Sequence, residues 1–346
     1  MPSHEHDDLL ARAREDGRLE KADLTGANLT GADLAGADLS GLFLTDVVLD
    51  RADLRGANLA DAWLQGCSLS EANLAGAVLK DARFAQCSLD KADLSEIKAE
   101  TADFSGSSLD GARFTRADLS RADLSRAELD GCALGKADFT GARLFRTSLA
   151  DADLTAVVFQ DTDLTMAFLR RANLAGQRFP GCTLAQALLD EADLTGADLS
   201  GLDISQASFS GAVLTGAILE KVQGRYAQFA AAKASQARFA GAFLESAIFS
   251  NADLTAAVFQ AAHLHGAILA DANCTSADFT SANLNYADFS RATVASARFA
   301  GAGLKMANMH RVDLDQVRQG QGDVSHIRST DKDLAEAEMW VAGQDR

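Results

Sequence analysis

The sequence predicts an all-β solenoid, a chain that coils on itself in stacked, near-identical turns, and three observations lead there. The first is a five-residue period. Ala22-Asp23-Leu24 recurs as Ala27-Asn28-Leu29, Ala32-Asp33-Leu34 and Ala37-Asp38-Leu39, and the phase still holds at Val312-Asp313-Leu314. From Leu19 to Leu314 every fifth position is a repeat centre, giving about 60 repeats with no insertion or deletion. A period of 3.6 would smear these leucines around a helix, and a period of 2 would place successive ones on opposite faces of a strand. The second is glycine at a fixed phase. About 20 of the 27 glycines lie two residues after a centre, as at Gly26, Gly31, Gly36, Gly216 and Gly241, which marks a turn requiring positive φ. The third is phenylalanine at a spacing of 20. Phe139, Phe159, Phe179, Phe239, Phe259, Phe279 and Phe299 share one class, and Phe209, Phe229, Phe249 and Phe289 share the class ten residues away. Four repeats therefore complete one coil, and aromatic rings stack from coil to coil.

Within each repeat two positions face inward. The centre is Leu, Phe, Ile, Val or Met in about 56 of the 60 repeats, the exceptions being Ala99, Gly224, Ala234 and Cys274. The position two before it is mostly Ala, and alternating large and small residues fill a narrow tube. The other three positions carry Asp, Asn, Arg, Ser, Thr and Gly and face water. Volume compensation fits this picture. Phe229 and Phe239 face each other across a coil whose other two centres are Gly224 and Ala234. The stretch 221–236 is the weakest by composition, and a local kink or softening is expected there.

The repeated Ala-(Asp/Asn)-Leu-X-X motif over residues 17–316 resembles the pentapeptide-repeat protein family. That resemblance implies a right-handed quadrilateral β-helix of about 15 coils, roughly 70 Å long at about 4.8 Å per coil. Repeat stacking needs no internal domain boundary. The organisation expected is an N-terminal helical cap over 1–16, the β-helix over 17–316, and a C-terminal tail with a capping helix over 317–346. Solenoid ends expose strand edges that need such covers. Leu9, Leu10 and Ala13 lie on one side of the first cap. Ser329 or Thr330 is the expected N-cap of the last helix, with Leu334, Ala337, Trp340 and Val341 as its apolar stripe. The resemblance also leaves open a homodimer through the C-terminal segment.

The chain shows no signal peptide, transmembrane run or lipidation site, and all five cysteines occupy inward positions. A cytoplasmic protein with reduced thiols is the expectation. Cys67 and Cys87 stand one coil apart with parallel vectors, which does not favour a disulfide. No catalytic constellation, metal site or cofactor motif stands out. His263 and His265 flank Leu264 and read as a solvated surface pair. A non-enzyme is expected.

The surface is acidic, with a formal charge of −17. This excludes most direct nucleic-acid binding, which needs a basic stripe to displace counterions, and disfavours anionic membranes. A protein partner, and a basic one in particular, suits it. Asp33, Asp53, Asp93, Asp153, Asp193, Asp253 and Asp313 share one face at spacings of 20 or its multiples. They read either as an acidic ladder that steers a cationic surface or as residues that fix turns with their side chains. The adjoining face departs from the motif. It carries Phe43, then Trp63 one coil on, and Phe243 later in the same column. Clustered outward aromatics suggest a contact site. Val48, Phe168, Leu188, Ile248 and Ile268 form an apolar strip on one further face, and Val78, Val158, Ile218 and Val258 form one on the opposite face. The leading function is a non-catalytic interaction scaffold or adaptor. Through the family resemblance, two alternatives are a DNA mimic that binds DNA gyrase and a bacterial secretion-associated adaptor or effector.

Overall fold

A repeat that keeps the Ala-(Asp/Asn)-Leu motif carries five backbone N–H groups, and the fold can use all five. The computed structural model describes residues 24–339. The chain divides into two units, Met1–Leu188 and Leu189–Arg346, built in the same way. The repeat centred on Leu54 shows the pattern in the first unit. Ala52 N–H closes a turn on Leu49 O (3.0 Å), and Asp53 N–H bonds back to Ala32 O (2.9 Å) in the preceding coil. The N–H groups of Leu54 and Gly56 bond forward to Asn73 O (2.7 Å) and Ala75 O (3.0 Å). That leaves the Arg55 N–H, and Asp53 Oδ1 accepts it at 3.2 Å.

The second unit repeats this around Leu254, where Thr255 N–H donates to Asp253 Oδ1 at 3.1 Å. Backbone donors must be satisfied, so this accounting explains the motif. Ala is small enough for the interior, Leu fills it, and Asp or Asn takes the one donor that neither ladder nor turn uses. Parallel bridges link residues 20 apart, from Asn28↔Val48 to Phe168↔Leu188 in the first unit and from Asp193↔Val213 to Asn308↔Arg328 in the second. Four repeats per coil is thereby observed in each unit.

The corner residue, two after the centre, takes a left-handed conformation. Gly201 has φ 72°, and non-glycine corners such as Arg51 (57°) and Ala261 (54°) adopt it too. This conformation costs a non-glycine residue about 1–2 kcal/mol. The paired backbone and buried centre on either side hold it there.

The phenylalanine columns form as expected. In the second unit Phe229 stacks on Phe209 (4.9 Å) and Phe249 (4.7 Å) and meets Phe239 edge-on at 5.7 Å. The softening expected over 221–236 is not seen. Gly224 N–H and Ala234 N–H keep their ladder bonds at 2.8 Å, because Phe229 and Phe239 fill the volume that the small centres leave.

An irregularity lies instead in the first unit. Ala156 is the corner that is not left-handed, and the bridge between Val158 and Arg178 is replaced by a side chain. Gln177 occupies an inward slot usually held by Ala. Its Nε2 donates to Val157 O (2.8 Å), and its Oε1 accepts Arg178 N–H (3.0 Å). The carboxamide thus stands in for a peptide group between two coils. The adjacent Phe139–Phe159 and Phe159–Phe179 stacks are wide, at 6.0 and 5.7 Å.

All five cysteines are free and buried. Cys67 and Cys87 each donate to a carbonyl of the preceding coil, Leu44 O at 3.3 Å and Leu64 O at 3.5 Å. Burial pushes the Cys132 and Cys274 thiols up to about 12.

Two helices follow the repeats, α1 (Leu314–Gln319) and α2 (Lys332–Met339). Leu314, in phase as a repeat centre, opens α1, and Asp313 is its N-cap. The expected N-terminal cap at 1–16, Trp340 and Val341 lie outside the described residues. The α2 helix corrects the sequence expectation. Asp331, not Ser329 or Thr330, caps its first turn through Leu334 N–H (3.1 Å), and Leu334 is exposed. Polar contacts hold it. Glu338 reaches Arg291 (3.1 Å), Arg311 (3.0 Å) and the buried His310 (3.2 Å), whose Nδ1 accepts Asp331 N–H at 3.2 Å.

The His310 hydrogen bond, followed by the charges of Arg311 and Arg291, holds the Glu338 carboxyl below its ordinary 4.5. A depressed carboxyl stabilises attachment above the unfolded value, and that contribution is lost as pH falls through the folded one. Acidification from about pH 6 to about pH 3 is therefore expected to release α2. Loss of the helical circular-dichroism signal before the β-signal is the measurement. Glu338→Gln should show the weakened helix already at the higher pH.

Candidate docking surface

Where Phe43 and Trp63 replace the turn-holding carboxylate, the backbone forms the two named strands among the described residues. These are β1 (Phe43–Thr45) and β2 (Trp63–Gln65), paired in parallel with Phe43 opposite Trp63. Side chains at this position point outward, and Phe43 is 73% exposed and Trp63 41%. Their rings stack at 5.9 Å and 28°, and the Arg83 guanidinium lies 4.6 Å from the centre of the Trp63 ring. Three consecutive coils of the first unit thus present a Phe–Trp–Arg column, with cation–π contact at one end.

The other predicted contact residues are also exposed, and the structure groups them separately. Phe168 and Leu188 are bridged neighbours on a different face of the first unit. Phe243, in the second unit, stacks on His263 at 4.7 Å. His265 meets Tyr286 edge-on at 5.3 Å, and Arg225 lies 4.8 Å over Tyr226. The sequence reading singles out neither tyrosine and treats the histidines as solvated. The signals are nonetheless present: His263 falls 20 residues after Phe243, and Tyr226 and Tyr286 share a corner phase.

The seven aspartates of the predicted ladder all fix turns. Asp33, Asp53, Asp93, Asp153, Asp193, Asp253 and Asp313 each accept the N–H two residues on. Asp53 is also paired with Arg55 at 2.5 Å, and that hydrogen bond holds its carboxyl below the usual value. In the first unit their column is interrupted by Arg113 and Ala133, and in the second by Val213 and Lys233. A contiguous acidic run lies elsewhere, at Asp90, Asp110 and Asp130, one coil apart in the first unit. Burial, together with the charges of Asp130 and Asp90, raises the Asp110 carboxyl above its ordinary value.

A family model described as pentapeptide repeats in eight copies matches residues 18–51, 100–135, 137–176, 167–206, 178–216, 192–223, 225–262 and 257–294. A second, for a pentapeptide repeat region, matches 44–114. The chain belongs to the pentapeptide-repeat family. The right-handed quadrilateral β-helix of pentapeptide-repeat proteins accommodates the four-repeat coils seen in each unit.

Several solved structures of the family are similar to the chain. QnrB1, a plasmid-mediated fluoroquinolone resistance protein, is 23% identical over 47% of this chain and 84% of its own, with a TM-score of 0.40. HetL, from the cyanobacterium Nostoc sp. strain PCC 7120 and involved in heterocyst differentiation regulation, is 28% identical over 77% and 89%, with a TM-score of 0.25. Rfr23 from the cyanobacterium Cyanothece 51142 is 22% identical over 37% and 93%, with a TM-score of 0.22. No curated protein matches the chain at a significant level. Among the described residues of this pentapeptide-repeat protein, no helix is long and apolar enough to cross a membrane, and no group of three or more His, Cys, Asp or Glu is placed to hold a metal.

Proposed function

We propose that the chain is a non-catalytic docking scaffold of the cytoplasm, which binds a protein partner through the Phe43–Trp63–Arg83 column. The observation that carries this reading is the pair of exposed, stacked rings held in register on β1 and β2. Many repeats elsewhere spend this position on a turn-holding carboxylate. Here that hydrogen bond is given up for two aromatic side chains facing water. Ordered aromatic and arginine side chains are the residues that dominate protein interfaces, because they bury much area at low entropic cost. An adaptor of a secretion machine is one form such a scaffold takes.

A second reading, occupation of DNA gyrase by DNA mimicry, is favoured by the contiguous Asp90–Asp110–Asp130 column and the charge of −17. One experiment separates the two. Host lysate is passed over the immobilised protein and eluted with rising salt, alongside Trp63→Ala and the triple variant Asp90→Asn, Asp110→Asn, Asp130→Asn. Asparagine is the replacement because its Oδ1 still accepts the N–H that Asp110 and Asp130 take from the next coil, while the charge is lost. The docking reading expects a partner retained at high salt, lost with Trp63→Ala and kept by the triple variant. Gyrase released at moderate salt, and bound equally by Trp63→Ala, would replace it with the mimic.

A further inference from the structure

Corner arginines in this fold meet a carboxylate one coil away. Arg51 pairs with Glu71 (3.1 Å), Arg171 with Asp151 (2.6 Å) and Arg291 with Asp271 (2.7 Å), and Arg116 with Glu96 is a further case. Arg126 and Arg146 break the pattern. They are exposed neighbours in one corner column of the first unit, 20 residues apart, and carry the same charge. Among the described residues neither is ion-paired. Arg146 lies 5.5 Å over the Phe145 ring, and its Nε reaches Met166 Sδ at 3.3 Å. A cavity of about 490 Å³ opens beside Arg126, with Ser105, Ser125, Arg143 and Phe145, the chain neighbour of Arg146, also in its lining. Asp123 also lines it, and Arg143 neutralises that carboxylate at 3.1 Å. The bridges Trp63↔Arg83, Arg83↔Asp103, Asp103↔Asp123 and Asp123↔Arg143 place this cavity in line with the aromatic column.

Two like charges stacked one coil apart repel each other unless an anion lies between them, and a carboxylate accepts from two guanidiniums at once. We propose that this face of the first unit binds a short acidic segment of a protein partner, with one carboxylate seated between Arg126 and Arg146. The partner is then acidic at this point, although the chain that receives it is strongly acidic overall. A nucleic acid, whose phosphates present the same anionic chemistry to a guanidinium, is the other class of occupant and is kept as an outcome of the test. The inference rests on the docking reading for the choice of face, and adds the chemistry of what docks.

The test uses a fluorescein-labelled poly-glutamate peptide of about ten residues and the full-length protein, read by fluorescence anisotropy at low salt. Saturable binding is expected, weakened at least about tenfold by Arg126→Gln with Arg146→Gln and unchanged by Arg51→Gln. A poly-glutamine peptide should not bind. Poly-glutamate has no apolar anchor, so Trp63→Ala should leave its binding intact. Failure of the docking reading in the lysate experiment is therefore read separately from failure here. Both arginines lie on the surface, so the double variant should keep the wild-type circular-dichroism spectrum and melting temperature. The proposal is overturned if the wild type shows no saturable binding, if the double variant binds equally, or if a short DNA duplex binds and is lost with the same two arginines.

Discussion

Phe229→Ala is expected to destabilise the protein by about 3–5 kcal/mol, the largest effect of any single truncation proposed for this chain. The ring is fully buried and touches aromatic neighbours on three sides: Phe209 at 4.9 Å, Phe249 at 4.7 Å and Phe239 edge-on at 5.7 Å. Removing it costs the transfer energy of the ring and leaves a cavity. The cavity cannot close easily, because the other two centres of that coil are Gly224 and Ala234, which offer at most one methyl group to fill it. Phe229→Leu should cost less, since it keeps most of the volume. Guanidinium unfolding followed by circular dichroism measures both. A loss below about 1 kcal/mol for Phe229→Ala would mean that the stacked column does not carry the stability assigned to it.

Gly224→Leu restores the repeat motif and is nonetheless expected to destabilise by about 1–3 kcal/mol or more. Backbone conformation is not the obstacle, because Gly224 is absent from the positive-φ glycines. Space is. A Cβ at this position would lie 2.9 Å from Leu244 Cδ2 and 3.2 Å from Ile204 Cγ1, so a full leucine must displace both. Adding Phe229→Leu should recover part of the loss, because volume is traded between centres of one coil and the two sites are therefore coupled. Unfolding curves of the single and double variants decide the matter. A neutral or stabilising Gly224→Leu would show that the coil has room, and that its glycine does not compensate for the phenylalanines.

Much of this fold is legible in the sequence because each repeat fixes the phase of the next. Leu54 and Leu254 occupy equivalent positions, and the phenylalanine spacing alone reveals four repeats per coil. The role of Asp was ambiguous for a physical reason. Whether Asp53 holds a turn or presents charge depends on which donors the ladder leaves over, and that becomes visible only once Arg55 N–H is found outside it. Composition points to softening at 221–236 because it registers the small centres but not the rings that fill the space they leave. It gives no weight to Gln177, one polar residue in an Ala slot that rebuilds the contact between two coils. At the C-terminus the sequence shows an apolar stripe, of which Trp340 and Val341 lie outside the described residues, but it does not show that Glu338 is held by Arg291, His310 and Arg311, far from it along the chain. The candidate site follows the same division. The Phe43–Trp63 pair can be read from spacing, but the unpaired Arg126 and Arg146 stand out only against the carboxylate partners that other corner arginines find.

The central claim is that ordered aromatic side chains, rather than net charge, make the contact with the partner. The most direct measurement is the dissociation constant of the partner retained in the lysate experiment, for wild type and Trp63→Ala, at low and at high salt. The account predicts a rise of about 30-fold or more on Trp63→Ala, equivalent to about 2 kcal/mol, with only a few-fold change between the two salt concentrations. A dissociation constant indifferent to Trp63→Ala, and weakened by orders of magnitude as salt rises, would contradict it.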